Sequence, residues 1–408
     1  MKILLSHPTG NEFVRAVALK LLSQKQLAAF FTTIAVFPNT LPAKMAKGSL
    51  SELKRRTYAP ELKPYTHTHP FYELGRMLNA KMKWSFLSRH EKGIFSVDNV
   101  YRNLDKYVAN RLKKIRPDAV YAYEDGALQT FRKAKELGIT CVYDLPIAYW
   151  EYGTRLMQEE AERLPEWANT LGGGIKDSAE KHTRKVKELE LADAVVSPSK
   201  FVSNSLPQWA KNKFIIEAPF GTPETEEATL SDKKQTAKLR ILFAGSMGQR
   251  KGLGDLFEAI KILNNKNVEL VVLGSLLAPM GFYRKQLSNF TYEPTRPHSQ
   301  VLELMRTCDV FCLPSIVEGR ALVMQEAMSQ GLPVIITPNT GGEDLVVEGE
   351  TGFLVPIRNP DAIAEKINWF LENRNKIPAM GEKAKNYVSS YTWEEYGSII
   401  INALQNYC

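Results

Sequence analysis

Two glutamates within an apolar stretch are the residues of this sequence best suited to chemistry. Residues 314–335 read PSIVEGRALVMQEAMSQGLPVI, so Glu318 and Glu326 lie eight positions apart among Ala, Leu, Val and Met. Two interpretations are open: one carboxylate caps a helix while the other faces water, or both bind a ligand. Since carboxylates accept hydrogen bonds from hydroxyl groups, often in pairs, the second interpretation favours a polyhydroxylated ligand.

The spacing of these glutamates limits what they can bind together. The pattern predicts a buried strand over 309–315 and a helix that begins near Arg320, which puts Glu318 at the helix start, where the dipole favours a carboxylate. Eight helical residues rise about 12 Å and leave the two side chains roughly 80° out of line. The pair therefore predicts contacts with two distant parts of one long ligand, such as a nucleotide sugar, and not a shared metal ion.

A second candidate site is the loop after an earlier apolar strand. Residues 243–260 read FAGSMGQRKGLGDLFEAI, so glycines and the basic pair Arg250-Lys251 separate a strand from a helix. The N-terminus of a helix next to two cations favours phosphate, whereas a plain basic turn is the alternative. The stretch matches neither G-x-x-x-x-G-K-[ST] nor G-x-G-x-x-G, which weakens the P-loop and nicotinamide interpretations.

Two further glycine turns follow apolar strands. The stretch HPTGNEF (7–13) places Gly10 before a helix, and TPNTGGEDLVVEGETGFLVP (337–356) contains Gly341-Gly342. Glycine lets a backbone approach a ligand closely, and a helix start offers N–H groups to an anion. Each stretch is thus a candidate phosphate or sugar contact, with a simple tight turn as the alternative.

Strands and helices alternate along the chain in a way that would bring these turns to one edge of a sheet. Apolar runs predict strands at 2–6, 119–123, 140–146, 192–199, 214–221, 239–246, 268–275, 309–315, 332–338 and 352–356. Amphipathic runs between most of them predict helices, and this alternation is typical of a parallel sheet covered on both faces. The sequence predicts an α/β protein of two tandem Rossmann-like, doubly wound domains, with ligands bound at the carboxyl ends of the strands.

The polar stretch at 221–239 divides this pattern into two parts. We expect an N-terminal Rossmann-like domain over 1–220, a linker over 221–239 and a second domain over 240–390. The last helical pattern, within 391–408, comes after the second sheet is complete. It is therefore free to pack back on the first domain.

Composition excludes several classes of protein. Of 408 residues, 44% are hydrophobic and 10% aromatic, which supplies real cores and excludes a disordered chain. An apolar run of membrane-spanning length does not occur, and the first residues read as a buried strand and not as a signal peptide. We therefore predict a cytoplasmic protein.

The cysteines and histidines predict no metal site. Cys308 and Cys312 have no second Cys or His pair nearby, and the four cysteines form no disulfide framework. His67 and His69 stand just before a proline and are predicted to lie in a loop. Free thiols are the expectation for a cytosolic chain.

Positive charge is concentrated in the first part of the chain. Residues 1–220 carry 34 Lys and Arg against 23 Asp and Glu, whereas residues 221–408 carry 19 against 22. The excess is densest over 43–93, with 11 basic residues, 4 acidic residues and interleaved Tyr, Phe and Trp. This segment is either an ordinary solvated face or a peripheral contact with an anionic membrane or acceptor. It carries no nucleic-acid motif, so nucleic acid is not predicted as a partner.

Taken in order, three of these stretches resemble the retaining glycosyltransferases of family four, which have the two-Rossmann-domain (GT-B) fold. They are FAGSMGQRKGL, the E-x7-E block with its following GLPVI, and GGEDLVVEGETGFLVP. ADAVVSPSKFVSNSL and APFG also resemble the end of the family's first domain. The resemblance covers nearly all of 190–375 and is looser upstream.

The resemblance implies a transferase of the hexosyltransferase type, whose second domain binds a nucleotide-diphosphate sugar and whose first binds the acceptor. Lys251, with Arg250 nearby, would stabilise the diphosphate leaving group. Glu318 would hold sugar hydroxyls near the reacting carbon, and Glu326 the ribose hydroxyls. Since lysine and arginine offset the developing charge, no metal or other cofactor is required.

The resemblance also implies the remaining substrate contacts and partners. The backbone at Gly10 and at Gly341-Gly342 would close over phosphates and sugar. The donor would be a UDP or GDP sugar, and the acceptor a glycan or lipid-linked hydroxyl in polysaccharide, lipid-linked glycan or glycoconjugate synthesis. Transfer would retain the anomeric configuration, with the leaving phosphate helping to deprotonate the acceptor on the same face.

The sequence departs from the family at three places. Gly245-Ser246 stands where the family often has Gly-Arg, so the second phosphate cation must be Arg250 or another residue. No histidine follows the strand at 140–146, and Asp144 is the residue there expected to contact sugar or acceptor. Arg320 replaces an aromatic or small residue of many members and is expected to influence donor choice.

Three other functions remain open from the sequence. They are a synthase of the same fold acting on a small acceptor, a noncatalytic nucleotide-sugar-binding protein, and a nicotinamide oxidoreductase, which the missing G-x-G-x-x-G disfavours. The basic segment 43–93 favours a large or membrane-held acceptor. A peripheral location at the inner face of the cytoplasmic membrane is the corresponding expectation.

Overall fold

The structure, a computed structural model, describes residues 1–38, 40, 53, 55–82, 84–223 and 237–407. Most of the predicted linker, residues 43–52, 54 and 83 of the basic segment, and Cys408 lie outside the described residues. The predicted domain boundaries therefore stay predictions. We use first and second domain for the parts of the chain that carry the first and the second sheet.

The first domain is built on a sheet of seven parallel strands. These are β1 (Ile3–Ser6), β2 (Leu27–Thr32), β3 (Thr66–Thr68), β4 (Ala119–Tyr123), β5 (Thr140–Asp144), β6 (Ala194–Ser197) and β7 (Phe214–Glu217). They lie in the order β3-β2-β1-β4-β5-β6-β7. The central strands are almost entirely buried because helices cover both faces, which explains their continuous apolar sequences.

The helices of the first domain follow its strands. They are α1 (Glu12–Ser23), α2 (Phe71–Met82), α3 (Val97–Ile115), α4 (Leu128–Glu136), α5 (Trp150–Arg163), α6 (Ala179–Leu191) and α7 (Lys200–Asn204). Two apolar cores result, one on each face of the sheet.

The second domain repeats the plan with six parallel strands. These are β8 (Leu239–Ala244), β9 (Val268–Leu273), β10 (Thr291–Glu293), β11 (Val310–Leu313), β12 (Val334–Ile336) and β13 (Gly352–Leu354), in the order β10-β9-β8-β11-β12-β13. Its helices are α8 (Leu253–Leu263), α9 (Met280–Gln286), α10 (His298–Arg306), α11 (Leu322–Ser329), α12 (Pro360–Glu372) and α13 (Ile377–Val388).

These two sheets confirm the predicted fold of two Rossmann-like, doubly wound domains. In each sheet the strand order reverses beside the first strand, between β1 and β4 and between β8 and β11. A crevice forms at the carboxyl ends of the strands at such a reversal, and ligands bind there in folds of this type.

The last helix, α14 (Trp393–Tyr407), leaves the second domain and packs against α1. Tyr396, Ile400, Ile401 and Leu404 are buried in the same core as β1 and α1. The chain therefore crosses between the domains a second time. Within the described residues, no helix combines the length and apolar composition needed to cross a bilayer.

The structure corrects two local predictions. His67 belongs to β3 and not to a loop, because Thr66–Thr68 pairs with β2 at the exposed edge of the sheet, where apolar residues are not needed. The helix predicted to begin near Arg320 begins at Leu322, after the N-cap residue Ala321. Glu318 thus lies in the preceding turn, and the rise calculated for eight helical residues does not apply to this pair.

Candidate active site

A cleft of about 990 Å³ lies between the carboxyl ends of β1 and β8. Six of the eleven predicted site residues line it: Gly10, Gly245, Ser246, Lys251, Glu318 and Arg320. The other five, which are Asp144, Arg250, Glu326, Gly341 and Gly342, are not among the lining residues. The cleft therefore brings together loops that are far apart in sequence and come from both domains.

Lys251 and Glu318 form a close ion pair at the wall of this cleft. Lys251 Nζ lies 2.5 Å from Glu318 Oε1, and Arg250 Nη1 lies 3.1 Å from Glu318 Oε2. Burial acts to raise the pKa of Glu318, but Lys251 and Arg250 outweigh it and lower the pKa below its usual value. Two cations thus share one ionised carboxylate, which leaves a net positive charge beside the cleft.

The loop that carries both cations is anchored from the first domain. Gln249 is fully buried, and its backbone N–H donates to Thr170 Oγ1 at 3.0 Å. Its side-chain Nε2 donates to Glu160 Oε1 and Asp255 Oδ2, both at 2.7 Å. The position of Lys251 therefore depends on contacts between the two domains.

Gly245 has a steric role beneath the lysine. Its φ is +148°, and a Cβ atom at this position would lie 2.7 Å from Lys251 Cδ. A side chain there would push the lysine away from Glu318. Gly245 is thus explained by close packing as well as by access for a ligand.

The turn around Glu318 is fixed by backbone contacts. The N–H of Ile316 donates to the carbonyl of Arg250 at 2.9 Å, which joins the end of β11 to the loop of the cations. Ser199 Oγ of the first domain donates to the carbonyl of Gly319 at 2.7 Å. The carboxylate therefore stands at a point where both domains meet.

Glu326 lies deeper in α11 and interacts with a histidine. Its Oε1 is 3.1 Å from Nε2 of His298, at the start of α10. Burial raises the pKa of Glu326, and His298 acts in the opposite direction. Glu326 is not a lining residue of the cleft, whereas Val323, one turn earlier on α11, is.

Arg320 lines the cleft, yet its side chain is buried and connects several segments of the protein. Its buried guanidinium donates two hydrogen bonds to Asp344, at 2.7 and 3.1 Å, and one to Gln325 Oε1 at 2.9 Å. Gln325 in turn donates to the carbonyl of Phe220 at 2.9 Å. Because the side chain of Arg320 has no exposed surface, the guanidinium cannot contact a donor sugar directly in this arrangement.

Gly10 lines the cleft for a reason that the sequence did not reveal. Its φ is +67°, and a Cβ atom would lie 1.5 Å from the hydroxyl oxygen of Tyr58. The room left by the missing side chain is therefore filled by a tyrosine of the same domain. Gly341 contributes its carbonyl as an acceptor for Arg320 at 3.1 Å, and its role as a phosphate contact stays a prediction.

Asp144 is buried at the end of β5, with 2% of its surface exposed, and its Oδ2 has no hydrogen-bond partner. Burial raises the pKa of Asp144 to about 8, with Glu124 acting in the same direction and Tyr121 against it. A neutral carboxyl explains how the group is tolerated there. Asp144 is not a lining residue of the cleft, so its predicted contact with sugar or acceptor stays a prediction.

Replacing Asp144 with Asn is expected to stabilise the protein more at pH 9 than at pH 5. The folded-state pKa lies above the unfolded value near 4, so the aspartate progressively lowers the free energy of unfolding as pH rises from about 4 to about 8. Asparagine carries no such cost. Urea unfolding of both proteins between pH 5 and pH 9 measures the difference, and a constant difference would contradict the buried neutral carboxyl.

Three arginines of the cleft were not identified from the sequence. Arg15 and Arg55 reach it from the first domain, and Arg296 from the loop after β10. Arg15 forms an ion pair with Glu12, and its Nε is buried without a hydrogen-bond partner. Arg296 was hard to identify from the sequence because β10, the strand that positions it, has only three residues.

A cluster of His90, Glu91 and Asp177 has spacing suited to a cation, but its charge is already balanced. Lys181 Nζ lies 3.2 Å from Asp177 Oδ1 and 3.0 Å from Oδ1 of the neighbouring Asp98. A divalent ion would be repelled by this ammonium group. We therefore assign no metal to the cluster.

Sequence comparisons find similarity to known glycosyltransferases over part of the chain. The family described as glycosyl transferases group 1 matches residues 225–387. The capsular polysaccharide biosynthesis glycosyltransferase CapM of Staphylococcus aureus is 32% identical over 170 residues, which cover 39% of this chain and 45% of that protein. The D-inositol 3-phosphate glycosyltransferase of Corynebacterium urealyticum is 33% identical over 196 residues, which cover 42% of this chain and 45% of that protein. The match thus spans about half the length of these relatives.

Among solved structures, HepE of Anabaena in complex with UDP is similar over the whole chain. The TM-score is 0.61 at 15% identity, and the alignment covers 100% of both chains. At this identity the similarity concerns the fold alone, and it includes the first domain as well as the second.

Proposed function

Residues 225–387 match the group 1 glycosyltransferases, and from that premise we propose that this chain transfers a sugar from a nucleotide-diphosphate sugar to a hydroxyl acceptor. The observation that carries the proposal is the pair of Lys251 and Glu318 at the wall of the cleft between the domains. A cation and an ionised carboxylate side by side suit a ligand that has a phosphate next to a hydroxylated ring.

In the proposed reaction, Lys251 offsets the charge that develops on the diphosphate as the bond to the sugar breaks. Such stabilisation of a leaving group by a fixed cation acts more strongly in the transition state than in the ground state. Arg296 and Arg15 bring further guanidinium groups to the cleft, each of them paired with a glutamate of its own segment. They, and not a residue at Ser246, are our candidates for the second phosphate cation.

The start of α11 offers a further phosphate contact. The first N–H groups of any helix lack an intrahelical acceptor, and this helix has no side-chain cap. Ala321, Leu322 and Val323 line the cleft at that point. We place the diphosphate between this helix start and Lys251, with the sugar against Glu318.

Glu326 is the proposed contact for the ribose. To reach ribose hydroxyls, its carboxylate would exchange its hydrogen bond with His298 for bonds with the ligand. The nucleoside would then extend along the wall formed by Leu273, Gly274 and Val301. UDP is the first candidate, because the similar HepE structure contains it, and GDP is the second.

For the acceptor we propose a glycan or lipid-linked hydroxyl that enters from the first domain, with retention of configuration. CapM acts in capsular polysaccharide biosynthesis by its name, which supports the polysaccharide context. The inositol phosphate enzymes support the alternative of a small acceptor. The basic first domain favours the larger, anionic or membrane-held acceptor over the small one.

A thermal-shift panel with UDP, GDP, ADP, CMP and NAD tests the donor part of this proposal. One nucleoside diphosphate is expected to raise the midpoint of unfolding clearly, because a ligand that binds only the folded state stabilises it. Stabilisation by NAD alone would instead favour the oxidoreductase. A panel in which no nucleotide raises the midpoint at saturating concentration would contradict the proposed donor site.

A further inference from the structure

Helix α2 presents an apolar stripe to solvent. Phe71, Leu74, Leu78 and Met82 lie three or four residues apart, and their exposed fractions are 63%, 42%, 56% and 51%. At 100° per residue they fall within an arc of about 80°, so they form one continuous stripe. An exposed helix normally turns such a stripe toward the core. Here the opposite face is the buried one, with Glu73 and Met77.

The segment after the helix extends the stripe. Trp84 is 48% exposed, Phe86 is 69% exposed and Ile94 is 49% exposed. Phe95 packs inward, with its ring 6.2 Å from that of Phe71, and this contact holds the segment against the start of the helix. We call the exposed apolar residues of 71–94 the α2 patch. Apolar patches of this kind mark contacts with another surface.

Exposed basic residues flank the α2 patch in sequence and outnumber the exposed acids there, of which Glu61 is one. Lys63, Arg89 and Lys92 are exposed. Glu73 is buried and lies 2.5 Å from Arg56 Nη2, whereas Glu91 accepts a hydrogen bond from the backbone N–H of Ser178 at 2.8 Å. The exposed charged residues described in this segment are therefore mostly basic.

We infer that the α2 patch docks on an anionic lipid bilayer. An amphipathic helix with Phe, Leu and Met on one face, a following Trp and Phe, and basic residues at the rim is the composition that inserts at a charged membrane interface. Aromatic side chains suit the boundary between headgroups and acyl chains, and lysine and arginine are attracted by anionic headgroups. A second protein copy would bring the same positive rim against itself.

The position of the patch connects it to the cleft. Helix α2 follows β3 directly, and β3 is parallel to β1, so both strands end at the same edge of the sheet. Arg56 bridges the buried side of α2 to the loop of Gly10, because it contacts Glu73 and donates to the carbonyl of Thr9 at 2.5 Å. Docking would hold the cleft near the bilayer surface. The idea that docking brings the cleft close to a membrane-held acceptor rests on the proposed function, whereas the docking inference itself does not.

Flotation with lipid vesicles tests the inference. The wild-type chain is expected to float with vesicles of phosphatidylcholine and phosphatidylglycerol, weakly with phosphatidylcholine alone, and less at high salt, since salt screens the attraction. The double variant Leu78→Ser, Phe86→Ser is expected to bind the anionic vesicles at least about tenfold more weakly. Burial of even one of these side chains in the bilayer contributes a factor of about ten to the affinity. Its thermal midpoint should stay unchanged, since both side chains are mostly exposed.

Ile262→Ser is the matched control, because Ile262 is 46% exposed on α8 of the second domain. This variant should float like the wild type. Equal flotation of the double variant, or no flotation of the wild type with anionic vesicles, would overturn the inference. Light scattering that shows a dimer lost only in the double variant would assign the patch to a second copy instead. Donor hydrolysis measured without vesicles is separate: its absence alongside intact flotation would contradict the proposed function and not the docking surface.

Discussion

Replacing Lys251 with Met is expected to lower donor hydrolysis and sugar transfer by about a hundredfold to a thousandfold, the usual cost of removing one fixed group that stabilises transition-state charge. Methionine keeps the apolar stem that passes over Gly245 but removes the ammonium group next to Glu318. The donor for the assay is the nucleotide sugar whose base gives the largest thermal shift. Release of the sugar with time measures the effect.

Lys261→Met is the matched control for this prediction. Lys261 lies on α8 and pairs with Glu258 at 2.8 Å, outside the cleft lining, so its loss should leave turnover unchanged. Glu318→Gln should resemble Lys251→Met, because it removes the carboxylate that both Arg250 and Lys251 contact. Wild-type turnover in Lys251→Met, with the protein folded, would exclude the proposed role of the lysine.

Replacing Glu160 with Ala is expected to lower the free energy of unfolding by about 3 kcal/mol, the effect typical of removing one partner from a buried ionic network. Glu160 is fully buried on α5 and accepts hydrogen bonds from Arg163 and from Gln249 Nε2. Its Oε2 lies 2.8 Å from Nε of Arg358. The carboxylate thus joins the first domain to two separate segments of the second.

Urea unfolding of Glu160→Ala measures the loss, and Glu159→Ala is the control. Glu159 is the neighbouring glutamate and is half-exposed, with contacts to Arg358 Nη1 at 3.0 Å and to Arg155 Nε at 3.9 Å. Its removal should change stability by less than about 1 kcal/mol. Equal effects of the two variants would show that the buried position of Glu160 does not matter. Because Gln249 precedes the two cations of the cleft, Glu160→Ala should also slow turnover.

The overall fold was predictable from the sequence because long apolar strands and amphipathic helices alternate in both domains. Three of the described strands were missed: Leu27–Thr32, although its residues LAAFFT are mostly buried, and two strands in which this signal is weak. Thr66–Thr68 is a polar edge strand and Thr291–Glu293 has three residues, so neither carries a run of buried side chains. The regular part of each sheet is specified locally, whereas its edges depend on the neighbouring strand.

The candidate site residues that follow strand ends were predictable from the sequence. The Arg250-Lys251 pair and Glu318 follow strand ends, and strand ends of one sheet meet at one edge. The sequence could not indicate that Glu318 would form an ion pair with Lys251, which is 67 residues away, nor that Arg15 and Arg55 would face them from the other domain. Those contacts depend on how two folded domains pack together, and local patterns carry no information about that packing.

Burial explains the sequence interpretations that changed most. Asp144 and Arg320 were expected to contact ligands only because of where they stand in the family resemblance. In the folded chain Asp144 is a buried carboxyl with a raised pKa, and the buried side chain of Arg320 is held by Asp344 and Gln325. The burial of these two side chains was not evident from the sequence, and their predicted ligand contacts stay predictions.

The proposal that a nucleotide diphosphate binds against Lys251 is tested most directly by comparing the affinity of a nucleoside diphosphate with that of the matching monophosphate by calorimetry. The wild-type chain is expected to bind the diphosphate at least about tenfold more tightly, since a hydrogen bond to a charged group contributes about 1.5–3 kcal/mol. In Lys251→Met this preference should disappear while the monophosphate still binds. The same preference for the diphosphate in both proteins would contradict the account.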